Sequence, residues 1–160
     1  MNVYLVQHGQ SMSKEENPER PLTEQGVIDT RNVAALIAKH TTLKIHRIVH
    51  SGKARARQTG EVLSEWFHPS EGVTMADGLS PNDDVSLWQT RLDEETDDIM
   101  LVGHLPHLSK LASTLLCGDA DKPIVAFQNS GVVCLRRNDD RSWSLVWMVI
   151  PDIIDPTLTI

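Results

Sequence analysis

Asn2-Val3-Tyr4-Leu5-Val6-Gln7-His8-Gly9, residues 2–9, decides the fold. Val3 to Val6 is a short apolar run that gives way at once to polar residues and a glycine. That pattern predicts a buried strand feeding a loop. Two later stretches repeat it. Ile45-His46-Arg47-Ile48-Val49-His50 is closed by Ser51-Gly52, and Asp98-Ile99-Met100-Leu101-Val102 ends at Gly103-His104.

Helical patterns lie between and after these strands. Thr23 caps a predicted helix running to about His40, with Glu24 in its first turn. Val27, Arg31, Ala34, Ala35, Ile37 and Ala38 give it a partly apolar face. Gly26 weakens such a helix by roughly 1 kcal/mol relative to Ala, which makes it a candidate for close packing. A second helix follows Gly52, with Gln58, Val62 and Trp66 on one stripe. A short strand is expected near Val73 and a short helix from Val85 to Leu92. Leu108, Leu111, Ala112, Leu115 and Leu116 then hold helical spacing, with Pro106 in the first turn and Gly118 just past the end. Gly131 to Arg137 and Ser142 to Ile150 read as a hairpin across Asn138-Asp139-Asp140-Arg141. Strands alternating with helices, then a hairpin, predict an α/β protein with a mixed sheet.

The bulk properties set limits on function. The 160 residues suffice for one domain spanning 1–160. The net charge of -7 argues against non-specific binding of nucleic acid or an anionic membrane, while leaving room for a local basic pocket. No apolar run approaches a membrane span. No secretory signal is evident, so a cytoplasmic protein is expected. Cys117 and Cys134, each in an apolar segment, read as buried thiols of a reducing compartment.

The chemistry-bearing residues stand where the strands end: Gln7-His8-Gly9, Ser51-Gly52 with Arg55 and Arg57 soon after, and Gly103-His104. In open α/β sheets, ligands bind at the carboxyl ends of strands. If the three strands are parallel neighbours, His8, Arg55 and His104 meet at one rim. One imidazole is then placed to attack phosphorus, while the guanidinium and the second imidazole stabilise the oxygen charge. Gly9 lets backbone approach closely. Taken singly, each residue has a plainer reading: His8 as a polar loop residue, Arg55 and Arg57 as a solvated first turn, His104 as a helix cap. His104 and His107 stand three apart, but no acidic or thiol ligand set accompanies them, so no metal is expected.

Four stretches together carry a resemblance: Val3 to Gly9; Arg20-Pro21-Leu22-Thr23-Glu24-Gln25-Gly26; Ser51-Gly52-Lys53-Ala54-Arg55-Ala56-Arg57-Gln58-Thr59; and Leu101-Val102-Gly103-His104-Leu105-Pro106. In order and spacing the chain resembles the histidine phosphatase (phosphoglycerate-mutase-like) superfamily, and within it the small SixA-type phosphohistidine phosphatases. The resemblance implies a three-layer α/β/α sandwich around a mixed, mostly parallel sheet. It implies that His8 carries the phosphoryl group as a phosphohistidine intermediate and that Arg55 and His104 bind the phosphoryl oxygens. Gly9 and Arg20 fall in the same motifs, Arg20 as a rim contact at most. No metal or other cofactor is implied. The implied partner is a phosphorylated protein, such as a phosphorelay histidine domain, or a small phosphorylated substrate.

Two departures qualify this. The family carries Arg where this chain has Gln7, and an amide offers neither the charge nor the fork of donors that a guanidinium gives phosphate. Losing one such donor costs roughly 10²–10³ in rate. Lys53 and Arg57 are nearby cations, although Arg57 should point away from Arg55 on a helix. Many relatives also protonate the leaving group with a mid-chain carboxylic acid. At the corresponding place this chain has Gly78, with Asp77 and Asp83 as neighbours that equally suit a turn. The second departure favours a substrate whose leaving group needs little help, as phosphohistidine does. The alternative is a catalytically impaired pseudophosphatase that binds phosphoproteins or other anions.

Overall fold

The computed structural model describes residues 1–155 and 157. The predicted strand Val3–Val6 becomes β1, Asn2–Gln7, at the heart of a six-stranded sheet. The others are β2 (Arg47–His50), β3 (Val73–Met75), β4 (Ile99–Gly103), β5 (Val132–Arg137) and β6 (Trp143–Val149). Their order across the sheet is β3-β2-β4-β1-β5-β6. The first four run parallel, β5 runs antiparallel to β1, and β6 runs antiparallel to β5, so the sheet is mixed. Four helices cover it: α1 (Glu24–His40), α2 (Ala54–Phe67), α3 (Ser86–Glu94) and α4 (His107–Cys117).

Side chains alternate along β1 and so reach both faces. Val3 and Leu5 join Trp88 and Leu92 of α3 and Leu108 and Leu111 of α4 in one apolar layer. Tyr4 and Val6 join Val33, Ala34 and Ile37 of α1 and Ala56, Leu63 and Phe67 of α2 in the other. The result is an α/β/α sandwich with core on each side of the sheet, as the resemblance implied.

The caps follow the sequence signals. The Thr23 hydroxyl accepts the Gly26 N–H at 3.0 Å. Gly118 ends α4 in the left-handed region at φ 71°. Gly26 is buried, and a Cβ on it would lie 2.2 Å from the backbone oxygen of Gln10. Close approach of α1 to the loop after β1 therefore requires glycine. One reading needs correction: Cys117 is exposed, while Cys134 is buried. The buried face of α4 ends at Leu115, and two further residues rotate the Cys117 side chain by roughly 200° into solvent. Pro106 stands at the N-cap, one residue before the first turn, after a cis Leu105–Pro106 bond. Among the described residues, no helix is long and apolar enough to cross a membrane.

Candidate active site

Because β4 lies between β1 and β2, the carboxyl ends of these three parallel strands are neighbours. Gln7 pairs with Gly103, and His50 with Val102. The residues that follow each strand are thereby drawn to one rim. His8 and His104 have ring centroids 4.9 Å apart, and Arg55 Nε points at His8 Nε2 from 3.4 Å. Arg55 is in the first turn of α2 and buried.

The His8 ring has a fixed tautomer. Its Nδ1 lies 2.7 Å from the Gly9 carbonyl oxygen, which can only accept, so Nδ1 carries the hydrogen. In the neutral ring Nε2 is then a bare lone pair, facing Arg55. Burial is the main reason that the ring is neutral: it brings the His8 pKa down to about 4, against the Gly9 bond and with help from Arg55 and Arg20. His104 is held lower, at about 3, first by burial and then by His8, Arg55, Lys53 and His107. None of the charges acting on these two rings is a carboxylate. A positive pocket is thus built into a chain of net charge -7.

The loop after β1 is braced by three side chains, and a hydroxyl pair ties α1 to the segment before β5 beside it. The Gly9 N–H donates to Thr59 Oγ1 at 2.9 Å, and the Thr59 hydroxyl donates to the Arg55 carbonyl at 2.7 Å. Asn129 donates from Nδ2 to the His8 carbonyl at 2.8 Å. Gln58 Oε1 accepts the Leu22 N–H, and Thr30 and Ser130 share a buried hydroxyl pair at 2.8 Å. On the opposite side, Ser51 Oγ and His104 Nε2 are 2.6 Å apart. His50, itself buried, accepts the Gly52 N–H and shapes the turn that carries Ser51.

His8, Arg55 and His104 therefore converge as the sequence pattern anticipates. Gly9 is present, but its N–H belongs to Thr59, and what it offers the site is the lack of a side chain. Arg20 sits at the rim, at φ 48°, bonded to the Met12 carbonyl and Ser11 hydroxyl. Arg57 points away and pairs with Glu61. Gln7 Oε1 is buried without a donor, which leaves the NH₂ end of the amide as what it can offer an anion. Asp83 accepts the Ser80 N–H in its own turn, and the Asp77 backbone carbonyl takes Trp88 and Arg91. Both carboxylates are exposed and bear on neither histidine. Ser51, Thr59 and Asn129 are residues that the sequence pattern did not bring forward. Only the placement of Ser51 directly after a strand hinted at one of them.

No protein-family model matches the chain. It is similar to the phosphohistidine phosphatase SixA of Escherichia coli K12, at 24% identity over 156 residues and 94% of each chain. Its fold superposes on the protein histidine phosphatase SixA complexed with tungstate with a TM-score of 0.83, at 24% identity over 95% of this chain and 98% of that one. A phosphohistidine phosphatase SixA candidate from Agrobacterium tumefaciens gives 0.73, at 25% identity over 94% and 97%.

Proposed function

We propose that this chain, a homologue in sequence and fold of the SixA phosphohistidine phosphatases, is a hydrolase that removes a phosphoryl group through a phospho-His8 intermediate. The observation that carries the reading is the His8 ring itself. It is neutral, its hydrogen is held on Nδ1 by Gly9, and its lone pair on Nε2 is directed into a rim lined by Arg55 and the His104 side of the pocket.

The reaction follows from those groups. The Nε2 lone pair attacks phosphorus while the bond from phosphorus to the leaving group breaks, and the leaving group keeps that electron pair. Charge on the three equatorial oxygens is met by the Arg55 guanidinium and by His104. A water molecule then attacks the phosphorus of phospho-His8, returning the lone pair to Nε2 and releasing inorganic phosphate.

The substrate class follows from the leaving group. Asp77 and Asp83 are exposed and act on neither histidine, so neither of these carboxylic acids is arranged to protonate an alkoxide there. An imidazole whose other nitrogen already carries a proton leaves phosphorus as a neutral ring and needs no acid on the departing atom. This supports protein phosphohistidine, of the kind found on phosphorelay domains, over sugar phosphates. Gln7 favours a second reading, a pseudophosphatase, because the amide brings no charge to the β1 side.

The test is hydrolysis of phosphoamidate and of a phosphohistidine protein by purified chain, with acid-stable and acid-labile label followed separately. His8→Ala is expected to abolish release and the acid-labile, base-stable phosphoenzyme. Equal release by wild type and His8→Ala would rule the phosphatase out.

A further inference from the structure

Two large apolar side chains stand exposed at the mouth of the pocket, and the chemistry uses neither. Met75, the last residue of β3, is 68% exposed, and Leu105, directly after His104, is 40% exposed. Both belong to the rim. Met75 pairs with His50 and His50 with Val102, so the ends of β3, β2 and β4 lie side by side. A Cβ on Gly52 would lie 2.6 Å from Met75 Sδ, so the thioether rests on the backbone next to Ser51. Ser51 Oγ lies 2.6 Å from His104 Nε2, and Leu105 is the next residue. Met75, Gly52, Ser51, His104 and Leu105 thus form one continuous edge of the pocket.

A single exposed apolar residue is ordinary on a protein surface. Two on one rim, flanking a recessed polar site, make a contact surface, and the unbranched thioether of Met75 can adapt to the shape of a partner. Charge narrows what that partner is. Lys53, exposed just after Gly52, acts on His104. Past Leu105, the exposed carboxylates of Asp83 and Asp84 act on His107. The rim is therefore cationic at its centre, apolar on either flank, and acidic beyond Leu105. A chain of net charge -7 gains no long-range attraction towards an acidic phosphoprotein, so affinity has to come from contact.

We propose that Met75 and Leu105 are the flanks on which the protein carrying the phosphohistidine docks. The occupant is a folded domain that presents its phosphohistidine on an exposed surface, with apolar side chains around it and basic ones towards Asp83 and Asp84. The proposal rests on the phosphatase reading and deepens it, from the bond that is broken to the surface that presents it. A small phosphoryl compound reaches His8 without touching either flank. The two side chains therefore serve recognition of a protein substrate and have no part in the chemical step.

The experiment compares wild type, Met75→Gln, Leu105→Gln and the double variant, with Leu145→Gln on the exposed edge strand β6 as control. Glutamine removes apolar surface without adding charge near the phosphoryl group, and a thermal melt establishes that each variant is folded. The substrates are phosphoamidate and a histidine phosphorelay domain phosphorylated with it. Each flank variant is expected to lower kcat/KM for the phosphodomain about ten-fold, chiefly through KM. The double variant should lose about 10²-fold, because the two residues lie on separate elements. Phosphoamidate hydrolysis and the Leu145→Gln control should stay at the wild-type level. If the flank variants match wild type on the phosphodomain, or lose as much on phosphoamidate, the docking proposal is wrong and the phosphatase reading stands. The same holds if wild type hydrolyses phosphoamidate but not the phosphodomain. If wild type hydrolyses neither, the phosphatase reading fails, and calorimetric binding of the phosphodomain decides. Binding that the double variant loses would support the docking surface, and equal or no binding would overturn it.

Discussion

The β2 wall of the pocket carries a hydroxyl, an ammonium-bearing residue and a guanidinium in quick succession, at Ser51, Lys53 and Arg55, where the β1 wall offers one amide and one imidazole, Gln7 and His8. The walls also differ in how they are held. Arg55 is fixed in the first turn of a helix, and Ser51 is tied to His104 on β4's far end. His8 sits on a loop that depends on partners from α2 and from the segment before β5. In the proposed reaction the nucleophile is thus on the wall poor in charge, and the proposed anion-binding groups are concentrated opposite. Such a division leaves the lone pair of His8 unprotonated and still provides a positive seat for the phosphoryl group. It also predicts that the two walls respond differently to substitution.

The largest expected difference is between Arg55 and Gln7. Arg55→Ala should lower kcat/KM by about 10²–10³-fold, the cost of removing one preorganised charged donor. Steady-state phosphoamidate kinetics measure it, and a loss under ten-fold would show that the β2 wall does not carry the binding charge. Gln7→Arg runs the other way. The buried Oε1 of Gln7 has no donor to lose, so replacement breaks no hydrogen bond. A guanidinium there should raise kcat/KM by roughly 10²-fold if the missing charge is what limits the β1 wall. No gain, in a folded variant that binds tungstate more tightly, would mean that the chain's chemistry is not limited by charge on that side.

The asymmetry was only half legible in the sequence. Val3-Tyr4-Leu5-Val6 announces its strand because a run of apolar residues ended by polar ones is a local pattern. For the same reason the rim residues His8, Arg55 and His104 were readable as three strand ends. The Gln7 departure was also plain, since it is a single residue within a motif. The bracing was not legible. Thr59 reaches Gly9 across 50 positions, Asn129 reaches His8 across 121, and Ser51 reaches His104 across 53. No spacing rule connects residues that far apart, and each is a common polar residue. Cys117 was misread for a related reason, because apolar neighbours in sequence do not fix which way the last residue of a helix faces.

Thr59 is where the two walls are joined, and it gives the next prediction. It is fully buried in α2, accepts from Gly9 on one wall and donates to the Arg55 carbonyl on the other. Thr59→Val keeps the shape and removes both bonds, leaving the Gly9 N–H buried without an acceptor. That should cost about 1–3 kcal/mol. At roughly 2–4 °C per kcal/mol for a chain of this size, the melting temperature should fall by several degrees, as read by calorimetry. Activity should fall as well, since His8 and Arg55 lose their common anchor. An unchanged melting temperature would show that the walls are held independently.

The smallest effect is the pH dependence, and it separates the pocket from an ordinary histidine site. In the proposed reaction His8 attacks only when neutral, so protonation should remove the nucleophile and kcat/KM should fall as pH drops through its pKa in the free protein. An unperturbed imidazole would place that limb near pH 6.5. Burial places it at about 4, with His104 at about 3 following below. From pH 7 down to 5.5, kcat/KM should therefore be nearly flat, and it should reach half its plateau only near pH 4. The sign is fixed by the direction of the shift, since a depressed pKa extends the neutral form towards acid. In Arg55→Ala the neighbouring guanidinium no longer opposes protonation, so the limb should move towards higher pH, though only slightly, because burial is the larger cause. A pH profile of phosphoamidate hydrolysis on both proteins measures the two limbs. A midpoint near 6.5 in the wild type would mean that His8 is solvated in solution, and that the two walls do not close on it as the 3.4 Å approach of Arg55 describes.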